Sequence, residues 1–187
     1  MDDPASQVSA RTVEALLASP LLTPATRQAL AARLEERPGD FKFFGVQEGA
    51  LLEAVSVLLV PHDPARMSLA RRIDARLMRG DTDGWRYDSQ PPDAQAYRAL
   101  LSSLPADFLA LDESKQTAAL VQAQRQHPRS FEDLLAELTE GYYADPRAQV
   151  GIGYVGFADA LGWQQTGLDS FDPNEDAAWQ TLGREQP

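Results

Sequence analysis

Three glycines near the C-terminus have the spacing of a phosphate-binding motif. Gly151, Gly153 and Gly156 form G-x-G-x-x-G, and several acidic residues follow some way downstream. In a dinucleotide-binding protein such glycines follow a buried strand and open a helix, and a later acid binds the ribose. Here an amphipathic helix pattern and the turn "EGYYADPRAQ" precede them, and no second strand can be drawn after them. We therefore predict that the glycines serve close packing or positive φ, not nucleotide binding.

The remaining candidate chemistry is weaker. The stretch "DTDGWRYD" (81–88) resembles part of a calcium loop, but Pro92 stands where the loop needs its final Glu. An Asp-Gly turn is the favoured interpretation. His62 and His127 both adjoin a proline between predicted helices and are interpreted as turn residues. No nucleophile or zinc-protease motif occurs in the sequence. We predict no catalytic, cofactor-binding or metal-binding residue in this chain.

The composition restricts the possible partners. The 187 residues include 28 Asp+Glu and 17 Lys+Arg, for a net charge of −11. This charge repels nucleic acid phosphates and anionic lipid. There is no cysteine, which excludes disulfides, thiolate metal sites and Cys nucleophiles. The longest apolar run, "AVSVLLV" (54–60), is far shorter than a membrane span, so we expect no membrane insertion.

The N-terminal residues bear on localisation. "MDDPASQVSARTVEALL" has no basic region followed by an apolar one, as a secretory signal would have. The expectation is a cytoplasmic chain, or a periplasmic one if it is exported together with a partner.

Hydrophobic periodicity predicts helices almost throughout the chain. The predicted fold is all-α: an irregular helical bundle with a long, glycine- and aromatic-rich C-terminal extension. We expect one domain over residues 1–187. It comprises an N-terminal segment (1–20), a helical core (20–142) and a largely irregular extension (143–187).

Capping residues predict where individual helices begin and end. Thr23 with Pro24, Asp63 with Pro64, Asp112 and Ser130 are predicted helix starts, and Gly80 is a predicted helix end. The clearest amphipathic stripe follows Ser130, and its predicted core face is Phe131, Leu134, Leu135 and Leu138, continued by Tyr142.

Aromatic residues gather in two places, before the helix that follows residue 44 and in the C-terminal segment. Two interpretations stay open: the rings fill the core under loops, or they form a protein interface, where Tyr, Trp and Phe are common anchors. The candidate partner interface comprises Phe43, Phe44, Tyr143, Pro146, Gly151, Gly153, Tyr154 and Gly156.

These residues carry a resemblance to a known family. "FKFFGVQEGALLEAVSVLLVPHD" resembles the opening helix of the gluconate 2-dehydrogenase subunit 3 family. "RRIDARLMRGDTDGWRYD" resembles the family's Ile-Asp helix and following loop, and "FLALDESKQTAALVQAQ" its Phe-x-x-Leu…Gln segment. "FEDLLAELTEGYYADPRAQVGIGYVG" resembles its most recognisable stretch. The resemblance covers about residues 20–160; the matching residues are Phe43, Phe44, Glu48, Pro61, Asp63, Ile73, Asp74, Gly84, Trp85, Arg86, Tyr87, Phe131, Leu134, Tyr142, Tyr143, Asp145, Pro146, Ile152, Gly153, Tyr154 and Gly156.

The resemblance implies a role without catalysis. Members are small accessory subunits of membrane-associated, flavin-dependent dehydrogenases of sugars, sugar acids or polyols. The large subunit carries FAD and the catalytic residues, a cytochrome often takes the electrons, and the small subunit supports maturation of the large one. The resemblance therefore implies a large FAD-bearing partner, with a cytochrome as a further candidate, and no cofactor in this chain.

The sequence departs from the family pattern in two places. Many members carry an export signal and a proline-containing tail after the glycine motif, whereas this chain reads "FADALGWQQTG" there. These departures favour an alternative, a stand-alone helical binding protein that kept the fold without the dehydrogenase partner. A third hypothesis, a free-standing oxidoreductase, predicts bound flavin in the purified chain.

Overall fold

The structure is a computed structural model that describes residues 13–35, 39–81, 90–162, 170 and 172–181. All regular structure within these residues is helical, so the predicted all-α fold is confirmed. No helix in the described part of the chain is long and apolar enough to cross a membrane.

Two compact units divide the described residues. We call residues 39–81 and 90–142 the central unit, and residues 13–35 together with the described residues from 143 to 181 the terminal unit. The helices, in chain order, are α1 (13–18), α2 (Pro24–Glu35), α3 (Val46–Leu59), α4 (Leu69–Arg79), α5 (Asp93–Ser102), a 3₁₀ turn (Phe108–Ala110), α6 (Glu113–Gln126), α7 (Pro128–Tyr143), α8 (Pro146–Gly151) and α9 (Pro173–Thr181).

The central unit is built around α3 and α4. α3 packs against α4, α5 and the 3₁₀ turn, and α6 packs against the same turn. α4 is amphipathic because its apolar residues recur at helical spacing, while four arginines occupy other positions. The buried apolar residues of α4 are Leu69, Ala70, Ile73 and Leu77. The helix ends at Gly80, as predicted, and Gly80 adopts the left-handed conformation.

The terminal unit has its own apolar core. Residues from α1, α2, α8, the turn after α8, and α9 contribute to it. Its buried members are Val13, Leu16, Leu22, Leu30, Val150, Val155, Ala158 and Ala178. Pieces distant in the sequence therefore form one core in this unit.

The structure places α8 and α9 within residues 143–187, which the sequence predicts as largely irregular. α8 forms because Asp145 accepts a hydrogen bond from the backbone N–H of Arg147 and Pro146 occupies the first turn. The Asp-Pro pair, interpreted as a turn, is a helix start.

Two predicted helix starts are wrong and two are confirmed. Asp63 caps a short turn, and α4 begins only at Leu69. α7 begins at Pro128 rather than after Ser130, because proline suits the first helical position. Pro24 begins α2 after Thr23, and Asp112 caps α6, both as predicted.

The predicted core face of α7 is correct at three of four positions. Phe131, Leu134 and Leu138 are buried. Leu135 is only half-buried, because it lies at the edge of the apolar stripe. The core of α7 is therefore narrower than the sequence predicts.

Candidate partner interface

The loop before α3 is held by a buried carboxylate. Asp74 of α4 accepts hydrogen bonds from three consecutive backbone N–H groups: that of Lys42 at 2.8 Å, of Phe43 at 3.0 Å and of Phe44 at 2.8 Å. The side chain of Asp74 is buried, so these donors replace the water that an ionised carboxylate would otherwise bind. The Phe-Phe pair and the Ile-Asp helix, which the sequence shows far apart, therefore meet here.

Arg98 of α5 stacks on the same loop. Its guanidinium lies 4.3 Å from the ring centroid of Phe43 and donates a 2.9 Å hydrogen bond to the Phe43 carbonyl. Glu48 accepts from the N–H of Gly45 at 2.9 Å and pairs with Arg98 at 3.3 Å. Charge and ring contacts thus fix the start of α3.

Phe41 packs into a space that only glycine leaves open. A Cβ on Gly49 would lie 2.6 Å from the Phe41 ring, and the Arg71 guanidinium lies 5.0 Å from the ring centroid on which it stacks. The ring is therefore held between a helix backbone and a cation.

These contacts decide how much of the Phe-Phe pair a partner could touch. Phe44 is 3% exposed and belongs to the core of the central unit. Phe43 is half-buried, with its ring at 5.0 Å and 87° to that of Phe44. Of the two candidates, only Phe43 leaves surface for a partner.

A polar network joins α4, α5 and α7 in the central unit. Arg76 binds Glu137 through two hydrogen bonds of 2.6 and 2.7 Å and donates to Asp93 at 2.9 Å. The buried Tyr97 hydroxyl donates to Glu137 at 2.7 Å. No local pattern in the sequence indicates this network, because its members lie as far as 61 positions apart.

The environment of this network favours the protonated forms of Tyr97 and Arg76. Burial, followed by the charge of Glu137, raises the pKa of Tyr97 far above its ordinary value. Burial lowers the pKa of Arg76, but the hydrogen bonds and charges of Glu137 and Asp93 outweigh it and raise the net value. We interpret the network as structural, because each of these side chains pairs with another residue of the central unit.

In the terminal unit, a buried ion pair lies next to the candidate interface residue Pro146. Asp145 is fully buried, and Arg147 binds both of its oxygens at 2.8 and 2.6 Å. Pro146, a predicted interface residue, is buried. Asp145 and Pro146 therefore set the direction of α8, and Pro146 offers no surface to a partner.

The turn after α8 explains two of the three glycines. Gly153 has a φ of 81°, and a Cβ there would overlap the indole ring of Trp179. A Cβ on Gly156 would lie 2.7 Å from the Tyr154 hydroxyl oxygen. A Cβ on Gly151 would meet nothing within 4 Å. Gly153 and Gly156 therefore serve backbone conformation and ring packing, as predicted.

Two apolar residues project from this turn. Ile152 is 63% exposed and Tyr154 is 51% exposed, on either side of Gly153. The Tyr154 ring also contacts Phe157 edge to face, with centroids 5.8 Å apart. Tyr143, at the end of α7, is 46% exposed. We call residues 151–156 the docking turn; Ile152, its most exposed apolar residue, was not among the predicted interface residues.

Asp159 ties the segment that follows the docking turn to the start of α2. It accepts from the Thr23 N–H at 2.8 Å, the Thr23 hydroxyl at 2.8 Å and the Thr26 hydroxyl at 2.5 Å. Partial desolvation raises the pKa of Asp159, but these hydrogen bonds outweigh it and lower the net value. No local pattern in the sequence indicates this role of Asp159, because its partners lie up to 136 positions away.

Two histidines and an acidic loop were the other candidates for chemistry in the sequence. The described residues contain no group of three His, Asp or Glu side chains arranged to hold a metal. His62 is half-buried, with Nδ1 2.5 Å from the Val60 carbonyl oxygen. His127 ends α6. Most of the candidate calcium loop, residues 82–89, lies outside the described residues.

Comparisons with known proteins give no match. No protein-family model, no curated protein and no solved structure matches this chain.

Proposed function

We propose that this protein is a non-catalytic accessory subunit of a flavin-dependent dehydrogenase of sugars, sugar acids or polyols, and that it supports assembly of the FAD-bearing large subunit. FAD belongs to the large subunit, and a cytochrome is the further candidate partner. The proposal starts from the resemblance to the gluconate 2-dehydrogenase subunit 3 family.

The first support is that residues carrying the resemblance have distinct structural roles. Asp74 binds the backbone of the Phe43–Phe44 pair. Asp145 caps α8, and Gly153 supplies the positive φ of the docking turn. Three of the residues on which the resemblance rests therefore have defined contacts or conformations in this chain, which supports the proposal.

The observation that carries the proposal is the exposure of Ile152 and Tyr154 on a turn with a defined backbone. The N–H of Gly153 donates to the Val150 carbonyl, and the N–H of Tyr154 to the Gln149 carbonyl, both at 2.9 Å. Fully burying an exposed isoleucine side chain against a partner contributes roughly 1.5–3 kcal/mol to the free energy of association. A pre-formed turn also loses little conformational freedom on binding. This combination suits a protein contact.

The test is affinity capture of the tagged full-length chain from its native host. We expect a large protein to elute with it in a fixed ratio, to show flavin absorption and to reduce a dye with a sugar or polyol substrate. The test variant is Ile152→Ser, which should lose the flavoprotein. The matched control is Val121→Ser, at an exposed position of α6, which should retain it.

Two other outcomes would contradict the proposal. Capture of a partner without flavin through the same turn would support the stand-alone binding protein. Flavin bound to the isolated chain would support a free-standing oxidoreductase.

A further inference from the structure

The indole of Trp179 on helix α9 contacts the docking turn at Gly153. The indole ring of Trp179 occupies the space where a side chain at position 153 would begin. Gly153 has a φ of 81°, a conformation that residues with a Cβ rarely adopt. The ring and the backbone conformation therefore fit each other only because position 153 is glycine.

α9 is anchored next to this contact. Ala178, the preceding residue, is fully buried in the core of the terminal unit, and Trp179 packs against the same core. At the other end of the helix, the Asp172 carboxylate accepts from the N–H of Asn174 at 2.9 Å, and its carbonyl accepts from the N–H of Asp176 at 2.9 Å. The packing of α9 against the core therefore determines the position of the indole.

The contact lies between the two exposed apolar residues. Ile152 precedes Gly153 and Tyr154 follows it, so a rotation of the backbone at Gly153 would change the direction of both side chains. Three backbone hydrogen bonds hold this stretch, donated by residues 152, 153 and 154 to carbonyls of α8 at 3.1, 2.9 and 2.9 Å. These three N–H groups therefore report on the state of the turn.

We propose that Trp179 of α9 is a positioning residue for the docking turn: the indole, seated on Gly153, keeps the turn in its left-handed conformation and so fixes how Ile152 and Tyr154 are presented. The consequence for partner binding rests on the proposed function, whereas the coupling of α9 to the turn does not. A change that undocks α9 releases the turn while leaving α8 formed.

A purely structural role for Trp179 makes a different prediction. A ring that only fills the core stabilises the terminal unit as a whole, so its loss would speed hydrogen exchange uniformly. If the ring positions the turn, its loss should speed hydrogen exchange at residues 152–154 more than in the core helices. Residue-resolved hydrogen exchange separates the two roles.

The experiment measures amide hydrogen exchange by NMR on the full-length chain. In Trp179→Ala we expect exchange at residues 152–154 to rise about tenfold or more, while amides in α2 change less than about twofold. Trp179→Phe should give an intermediate effect, because a smaller ring still covers Gly153. Gln180→Ala, at an exposed position of the same helix, is the matched control and should leave all three rates unchanged.

A second variant tests the contact from its other side. In a chain whose sole tryptophan is Trp179 (Trp85→Phe, Trp163→Phe), Gly153→Ala should displace the indole and shift its fluorescence to longer wavelength. Unchanged exchange at residues 152–154 in Trp179→Ala, a uniform rise across the terminal unit, or unchanged fluorescence in Gly153→Ala would each overturn the inference. None of these measurements requires a flavoprotein. A negative result would therefore overturn the role of Trp179 without testing the proposed function.

Discussion

The backbone N–H of Phe44 donates a 2.8 Å hydrogen bond to the carboxylate of Asp74, 30 positions further along the chain. Two neighbouring N–H groups bind the same carboxylate, so one buried side chain sets the conformation of the loop that begins α3. The loop leaves Phe43 half-buried and buries Phe44. Asp74 of α4 therefore determines how Phe43, the candidate interface residue of the central unit, is presented.

Asp74→Asn should lower the free energy of unfolding by about 2–4 kcal/mol. Asparagine replaces one acceptor oxygen with an NH₂ group, which opposes a backbone donor and leaves it unpaired. Urea denaturation measures the change. Asp40→Asn is the matched control: its side chain is fully exposed beside Arg71, and we expect a urea midpoint indistinguishable from that of wild type. Equal effects of the two variants would contradict the role assigned to Asp74.

Leu134→Ala and Leu135→Ala should differ although they are neighbours. Leu134 is fully buried, so its truncation should cost about 2–5 kcal/mol. Leu135 is half-buried, and we expect a cost below about 1.5 kcal/mol. Urea midpoints of both variants check this prediction. A larger loss for Leu135→Ala would show that the wrong face of α7 has been assigned to the core.

Tyr97 should retain its proton in the folded state at alkaline pH. Burial and the Glu137 charge raise its pKa, so its contribution to stability is complete below the unfolded value of about 10. That contribution falls as pH rises above this value, because only the unfolded chain then releases the proton. Unfolding free energies on both sides of about pH 10 should therefore fall less steeply in Tyr97→Phe than in wild type. The same slope in both proteins would contradict the prediction.

Asp159 should contribute to stability on the acid side. Despite partial desolvation, the hydrogen bonds from Thr23 and Thr26 lower its pKa. The contribution is present above the unfolded value of about 4 and is lost as pH falls through the lower folded value. Asp159→Asn should make the urea midpoint less dependent on pH in this window. Thr26→Val, which removes one donor, should act in the same direction, and an undiminished dependence in both variants would count against the assignment.

Local signals in the sequence predicted much of the fold. Thr23 with Pro24, Asp112 and Gly80 act within a few residues of themselves, so their caps can be predicted without tertiary structure. Asp145 with Pro146 carries the same kind of signal, although the surrounding glycines favoured an irregular interpretation.

The candidate site was less predictable, because its contacts are long-range. The partners of Asp74 and Asp159 lie 30 to 136 positions away, and no local pattern distinguishes a buried carboxylate from a solvated one. The periodicity of α7 predicted the apolar stripe but not that Leu135 lies at its edge. The glycine spacing predicted conformational freedom at residues 151–156, but not that Trp179 would occupy the space beside Gly153.

The most direct test of the account is the affinity of this chain for the flavoprotein that elutes with it. Using the isolated large subunit and surface plasmon resonance, we expect Ile152→Ser and Tyr154→Ala each to weaken binding about tenfold or more. Val121→Ser should stay within about twofold of wild type. Affinity that is unchanged by both docking-turn variants, or the absence of flavin from every captured partner, would contradict the central claim.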